Sequence, residues 1–306
     1  MIDAVILTSN SRDMASRCVA HTKADPAVDR VFLVDNASAD DTVAAVRAEH
    51  PEAEVIALAE HMGLAAALNR GAEAGSNPYV LYLNDDVFAA PGAVAALLAA
   101  LEDRPGAVAA GGRLVNEDLT TQDQYRPRDF PSPITLSLRL LGLDRLWPRN
   151  PLTGRHLRHP LDDETTVEAD QPAGACLLVR REAVEAVGGW DARYWFWYED
   201  VDFSRRLADT GGATLYVPSA PFRHLGGATT TRWSLPEMHR RTYYGMLLYA
   251  ETHFARGGRL LVAATMAVVC LVRLAVGRGR GRGVYRGCLV QARALAAGRP
   301  VRRIAA

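Results

Sequence analysis

The feature that most restricts the fold is the stretch Tyr79-Val-Leu-Tyr-Leu-Asn-Asp-Asp-Val87. Its apolar run, Tyr79 to Leu83, reads as a short buried strand. The run stops on three oxygen-bearing side chains, Asn84, Asp85 and Asp86. In an open α/β sheet the ligand crevice lies beyond the carboxyl ends of the strands. A carboxylate pair there is placed to hold a hard divalent cation, Mg²⁺ or Mn²⁺, whose remaining positions go to water and substrate phosphates. An acidic turn capping the helix that begins near Pro91 accounts for the same residues equally well.

The flanking sequence supplies the context. Strand patterns at Asp3–Thr8, Arg30–Val34, Glu54–Leu58 and Ala107–Ala110 alternate with helix patterns: one after Ser9-Asn10-Ser11, one from Asp40-Asp41 to Glu49, and others at Gly63–Ala74 and Ala93–Glu102. Such alternation predicts a mostly parallel sheet with right-handed crossovers and flanking helices. Three of these strands end in polar side chains: Thr8-Ser9-Asn10, Asp35-Asn36 and Asn84-Asp85-Asp86. Each is ordinary loop chemistry alone, whereas three such ends aligned in one sheet form a nucleotide pocket. In that case a carboxylate at Asp35 can accept an N–H from a pyrimidine ring. The glycines Gly63 and Gly71 match neither a dinucleotide fingerprint nor a P-loop. That argues against NAD and ATP, and for phosphates neutralised by a metal.

Residues 113 to 165 are less regular, with Pro127, Pro131 and Pro133 breaking the chain. A short amphipathic helix at Ile134–Leu143 and a loop at Trp147-Pro-Arg-Asn-Pro151 suggest mobility or acceptor contacts. Order returns with a strand at Ala173–Val179 and a short helix, Arg181–Val187, ending at Gly188-Gly189. Then comes Trp190-Asp-Ala-Arg-Tyr-Trp-Phe-Trp-Tyr-Glu-Asp-Val-Asp202. This segment fits either an aromatic core leading into a capped helix or a stacking wall for a sugar beside a general base. Asp200 and Asp202 diverge at a helix start, so one is expected to be catalytic and the other structural. After a strand at Thr214–Val217, His224 is either structural or the imidazole partner of Asp86 in a metal set.

Net charge is zero, but all 35 acids lie in the first 251 residues against 24 bases, and eleven arginines follow Glu251. A basic tail of this kind fits an anionic surface, membrane or nucleic acid; the acidic body opposes a broad nucleic-acid-binding face. The apolar run Leu260–Val272 precedes Arg273 and is short for a span. It predicts a buried helix or one lying in a membrane interface, with Arg278, Arg280, Arg282 and Arg286 at the headgroups. Cys18, Cys176, Cys270 and Cys288 show no zinc spacing or disulfide framework, as in a reducing compartment. The N-terminus enters a strand pattern directly, so no signal peptide is expected.

Taken together, Val34-Asp-Asn-Ala-Ser-Ala-Asp40, Leu83-Asn-Asp-Asp-Val87, Gly188-Gly-Trp-Asp191, Tyr198-Glu-Asp-Val-Asp202 and His224 resemble the inverting enzymes of glycosyltransferase family 2. Within that family, Trp147–Pro151 and Tyr198–Asp202 are similar to segments of actinobacterial rhamnosyltransferases acting on polyprenyl-diphospho-GlcNAc. The resemblance implies a GT-A fold: a Rossmann-like, mostly parallel α/β sheet with a C-terminal helical basic extension. It implies a nucleotide-diphosphate sugar donor (dTDP-L-rhamnose as the best guess), a polyprenyl-diphosphate-linked acceptor and an anionic membrane surface, on the cytoplasmic face. The implied donor-binding residues are Thr8, Asn10, Asp35, Asn36, His61, Gly63, Asn69, Asn84 and Asp85. Those at the acceptor are Trp190, Asp191, Trp197 and Glu199; Asp86 and His224 hold the metal, and Asp200 is the base. His61-Met-Gly63 departs from the family's Asn-x-Gly. The implied division is 1–256 for the catalytic domain (1–112 donor half, 113–256 acceptor half) and 257–306 for the extension. A nucleotidyltransferase would use similar carboxylates, but residues 8–17 lack its basic glycine-rich loop. The sugar, the choice of uridine or thymidine, the acceptor (lipid-linked or a soluble aglycone) and the oligomeric state stay open.

Overall fold

Successive side chains of one strand go to opposite faces of a sheet, and here both faces are apolar. Ala4 and Ile6 join one core with Leu81 and Leu83, while Val5 joins another with Val80 and Tyr82. A sheet buried on both sides must be covered by helices on both sides. The computed structural model has that layering, and it describes residues 1–147, 163–226, 233–276 and 281–304. Pro148–Pro151, Arg278 and Arg280, all singled out in the sequence, lie outside the described residues.

The strands are β1 (Ile2–Thr8), β2 (Val28–Asp35), β3 (Glu54–Ala57), β4 (Tyr79–Asn84), β5 (Val87–Ala89), β6 (Ala107–Val115), β7 (Val167–Glu168), β8 (Cys176–Arg180) and β9 (Ala213–His224). They form one sheet in the order β3-β2-β1-β4-β8-β6-β9-β5, with β7 paired to β9. β1 to β4 are mutually parallel, as are β6 and β9. β8 runs antiparallel between β4 and β6, and β5 antiparallel on β9. The helices are α1 (Arg12–Lys23), α2 (Thr42–Glu49), α3 (Leu64–Ala74), α4 (Ala93–Glu102), α5 (Pro133–Leu140), α6 (Leu143–Leu146), α7 (Arg181–Ala186), α8 (Glu199–Asp209), α9 (Leu235–His253), α10 (Arg256–Val276) and α11 (Arg282–Ala296). Side chains of α1 and α4 pack into the core of one sheet face; those of α3, α7 and α8 pack into the core of the other. Two strands run four or more residues past the ends their sequence patterns predict. β6 continues through Gly111-Gly112 to Val115, and β9 runs on to include His224.

The described chain divides into two units. The first comprises Met1–Arg128, Pro160–Arg193 and Glu199–Gly226, and holds the sheet. The second comprises Asp129–His159, Tyr194–Tyr198 and Gly227–Ala306. Within it α10 packs on α11 and α5, and α9 packs on α11. Ser234 caps α9 by accepting from the Glu237 amide, as a serine at that position commonly does.

α10 extends the expected apolar run at both ends and is long and apolar enough to cross a membrane. One face, Val262, Ala263, Met266, Val269 and Cys270, is buried against protein. The other presents Leu260, Leu261, Val268, Leu271, Val272 and Val276 to solvent. The sequence could not separate these faces because both are apolar. All four cysteines are free and buried.

Candidate active site

Parallel pairing sets three strand ends level. Thr8 lies opposite Asp35 on β2, and Leu7 opposite Asn84 on β4. The chain crosses this edge through Asn36, whose amide donates to the Thr8 carbonyl at 2.9 Å. Asp35 is buried and accepts from the amide of Ser38 at 3.0 Å and from its hydroxyl. Asn36 spends its side chain on the next loop, accepting from Met62 N at 2.8 Å and donating to the Gly63 carbonyl at 3.1 Å. Gly63 has φ +86°, a left-handed conformation that suits glycine. Its amide donates to His61 Nδ1 at 3.2 Å. Asn10 ties the β1 loop to the β2 loop: its amide donates to Ser38 Oγ at 2.7 Å, and its side-chain oxygen accepts from Ala39 N at 2.8 Å.

The two aspartates after β4 differ in surroundings. Asp85 Oδ2 accepts from the Thr8 hydroxyl at 2.7 Å. Although Asp85 keeps some exposed surface, its carboxyl is enclosed by protein. Burial, with the neighbouring charge of Asp86 adding to it, pushes its pKa up to about 7 against the pull of the Thr8 bond. Asp86 is buried and lies against the end of β9, where the Leu225 amide donates to its carbonyl at 3.0 Å.

Asp86 Oδ1 faces His224 Nε2 at 3.6 Å. Gln122 decides what that nitrogen is. Its NH₂ donates to the His224 carbonyl at 2.8 Å and to Asn116 Oδ1 at 3.0 Å, so its oxygen is the atom 2.9 Å from His224 Nδ1. An oxygen there requires Nδ1–H, which leaves a lone pair on Nε2 in the neutral ring. Burial pushes the His224 pKa down, opposed by Asp86. Two acceptors facing one another repel unless a cation, proton or metal ion, lies between them. Carboxylate oxygen and imidazole nitrogen are both donor atoms for a divalent metal, and the outer partner on Nδ1 is the usual means of orienting such a ligand. Among the described residues no group of three or more His, Cys, Asp or Glu is gathered for a metal; the facing pair offers two donor atoms.

The antiparallel direction of β8 brings its start to the same edge: Asn84 N donates to the Ala175 carbonyl at 3.1 Å. One residue earlier, Gly174 N donates to Asp200 Oδ2 at 3.4 Å, and Gln171 Nε2 donates to the same oxygen at 3.2 Å. The other oxygen, Oδ1, accepts from Val201 N at 2.9 Å in the first turn of α8, where the helix dipole favours an anion. A Cβ at Gly174 would lie 2.6 Å from Asp200 Cβ, so only glycine allows this approach. Asp202 is fully buried and paired with Arg206 at 2.8 Å, which makes it structural. Glu199 is buried, and its Oε2 has no hydrogen-bond partner among the described residues. Burial, then the neighbouring Asp200, drives its pKa well above the usual carboxylate range.

Two expected contacts are corrected. Trp190 is 2% exposed, stacked on Phe203 at 4.2 Å and edge-on to Tyr82 at 5.1 Å. It is core, not a wall for an acceptor. Asn69, expected at the donor, uses both ends of its amide on the Trp190 backbone, each bond 2.8 Å, and so anchors the Gly188-Gly189 turn instead. Asp191 is tied to Arg193 at 2.7 Å. Trp197 falls in the second unit and has φ +68°, followed by Tyr198 at φ +74°. Two consecutive left-handed non-glycine residues cost about 1–3 kcal/mol each, and they lead directly into Glu199-Asp200. Gln122 and Gln171 lie outside any sequence motif and carry no signal there. Gly174 could have been suspected only from its place before a strand.

Residues 3–188 match the model for glycosyl transferase family 2, and residues 164–279 that for glycosyl transferase family group 2. Over 241 residues the chain is 33% identical to an N-acetylglucosaminyl-diphospho-decaprenol L-rhamnosyltransferase of Mycobacterium tuberculosis, covering 73% of this chain and 75% of that protein. Among solved structures it shares its fold with GalNAc-T7 bound to UDP, GalNAc and Mn²⁺ (TM-score 0.63, 15% identity, 98% of this chain), spanning 58% of that longer chain. It also shares it with the Pyrobaculum calidifontis mannosyltransferase PcManGT bound to GDP-Man and Mn²⁺ (TM-score 0.54, 16% identity, 97% of this chain and 85% of that one). A third is S. aureus TarS with UDP-GlcNAc (TM-score 0.57, 10% identity, 98% of this chain and 81% of that one).

Proposed function

The chain belongs to glycosyltransferase family 2, and on that premise we propose that it transfers L-rhamnose from dTDP-L-rhamnose, with inversion, to a hydroxyl of polyprenyl-diphospho-GlcNAc. The family membership supports sugar transfer; the sugar and the acceptor rest on the mycobacterial relative. The observation that carries the site is the facing pair Asp86 Oδ1 and His224 Nε2, 3.6 Å apart at the strand ends.

Asp86 and His224 are the residues that would hold Mg²⁺ or Mn²⁺, with substrate phosphates and water completing its coordination. Such an ion supplies Lewis-acid stabilisation of the charge on a departing diphosphate. Asp35 accepts the N–H of the pyrimidine, while Asn10 and Asn36 hold the two loops around it. Asp200 takes the proton of the acceptor hydroxyl as that oxygen attacks the anomeric carbon; the bond from that carbon to the diphosphate breaks, and the nucleoside diphosphate leaves. Gln171 and Gly174 act on the base by fixing one of its oxygens, so it meets the hydroxyl in one rotamer.

Removing the base tests this assignment. Asp200→Asn should lower kcat by about 10²–10⁴-fold while calorimetric binding of dTDP with Mn²⁺ stays at the wild-type value. Near wild-type turnover by the purified variant would refute Asp200 as the base. A donor panel with and without Mn²⁺ tests the substrate; metal-independent transfer, or a different preferred sugar, would displace the corresponding part.

For a polyprenyl acceptor we further propose a peripheral position on the cytoplasmic face of the membrane. The outward apolar face of α10 and the exposed Arg256, Arg282, Arg286, Arg293 and Arg299 support it. Each arginine near an anionic surface contributes about 1 kcal/mol. Leu271→Ser with Val272→Ser should weaken co-sedimentation with phosphatidylglycerol vesicles; unchanged sedimentation would refute the membrane contact.

A further inference from the structure

The second unit carries an open concavity of about 230 Å³ that sugar transfer has not yet used. Trp195, Phe196, Arg240, Arg241, Arg303 and Ile304 line it. Of the three guanidinium groups, two bond the one carboxylate: Arg240 donates to Glu237 Oε2 at 2.7 Å and Arg241 to Oε1 at 2.8 Å. The cluster therefore keeps an excess of two positive charges. Arg240 is committed to the fold, because it is buried and also donates to the Ile304 carbonyl at 2.7 Å. Arg241 lies over the Trp233 ring at 4.1 Å. Arg303 is exposed, lies 3.4 Å from the centroid of the Trp195 ring, and makes no ion pair among the described residues. Although Arg303 is exposed, partial burial and, after it, the charge of Arg240 lower its pKa.

Planar guanidinium forks match the oxygens of phosphate, and stacking on an aromatic ring pre-orients the fork. Trp195, Phe196 and Ile304 add apolar walls, which an inorganic anion does not need and a prenyl chain does.

We propose that this arginine–tryptophan pocket binds the diphosphate of the lipid-linked acceptor. The proposal rests on the acceptor reading above, and the test separates the two. Geranyl diphosphate, which carries no sugar, is titrated calorimetrically into the full chain. Arg303→Gln should weaken its binding roughly tenfold or more, as expected for losing one charged hydrogen-bonding group. Arg241→Gln, judged by circular dichroism to be folded, should do the same, and dTDP with Mn²⁺ should bind both variants as it binds wild type. Unchanged geranyl diphosphate affinity in both folded variants would overturn the proposal. So would loss of binding to phosphatidylglycerol vesicles with geranyl diphosphate binding intact, which would mark a headgroup site. Arginine-dependent binding of geranyl diphosphate in a protein that transfers no sugar to polyprenyl-diphospho-GlcNAc would keep the pocket and refute the choice of acceptor sugar.

Discussion

Gln122 touches no proposed substrate, yet the geometry makes it the residue that sets the state of His224. In Gln122→Met a side chain of similar length replaces the amide and removes three bonds together: to His224 Nδ1, to the His224 carbonyl and to Asn116. Nδ1 then loses the acceptor that keeps its proton there, and the ring is free to place it on Nε2, the nitrogen facing Asp86. Outer partners of metal-binding histidines are worth about 10–100-fold in metal affinity, or roughly 1.4–2.7 kcal/mol. Leaving the buried His224 carbonyl and Nδ1–H without partners costs about 1–3 kcal/mol each in stability, so a lower Tm is expected as well. Mn²⁺ is titrated in the presence of dTDP, and the tautomer is read from the ¹⁵N shifts of the His224 ring. The expected result is weaker Mn²⁺ binding together with a shift toward the Nε2–H form. A folded Gln122→Met protein with wild-type Mn²⁺ affinity would refute the reasoning, because His224 would then need no outer partner to act.

Two further changes probe the Asp200 side of the edge. Gly174→Ala places a Cβ 2.6 Å from Asp200 Cβ; since neither atom is the tip of a flexible chain, the base must shift, and kcat should fall at least tenfold with little change in dTDP affinity, whereas wild-type kcat would show that the approach is not needed. Glu199 holds its proton more tightly folded than unfolded, so folding takes up a proton and stability falls as pH rises from the ordinary glutamate range toward the raised value. Glu199→Gln should flatten that part of a Tm-against-pH curve, and an unchanged slope would place the proton elsewhere.

The fold was legible where local pattern and tertiary role coincide. Ala4 to Leu7 and Val80 to Leu83 are apolar on both faces because helices cover both faces, and their polar ends mark the crevice. The direction of β8 was not legible, since an apolar run such as Cys176–Val179 looks the same in either sense; only its pairing with β4 settles it. Trp190 misled for a related reason. One aromatic among several neighbours gives no hint that Tyr82 and Phe203, far away in sequence, will enclose it. Gln122 sits in an irregular stretch with no period to read, and its importance arises only when β9 carries His224 alongside. Asp86 was singled out because it follows a strand, and His224 through the family resemblance; Gln122, which bonds His224, has no such mark.

The acidic edge raises an electrostatic question that its arrangement answers. Asp35, Asp85, Asp86, Glu199 and Asp200 belong to the same unit, and a nucleoside diphosphate is itself an anion. Five full negative charges there would repel it, by about 4 kcal/mol for a unit pair 4 Å apart at an effective dielectric near 20. At each adjacent carboxyl pair, one member is enclosed by protein and has its pKa raised: Asp85 to about 7 after β4, and Glu199 at the start of α8. Near neutral pH these two carry much of their time as neutral acids, which act as hydrogen-bond donors as well as acceptors. Burial first, and adjacency after it, thus lower the total charge without giving up oxygen atoms. Replacing the enclosed member of either pair by an amide keeps that neutrality, whereas exposing it to water would restore the repulsion that burial removes.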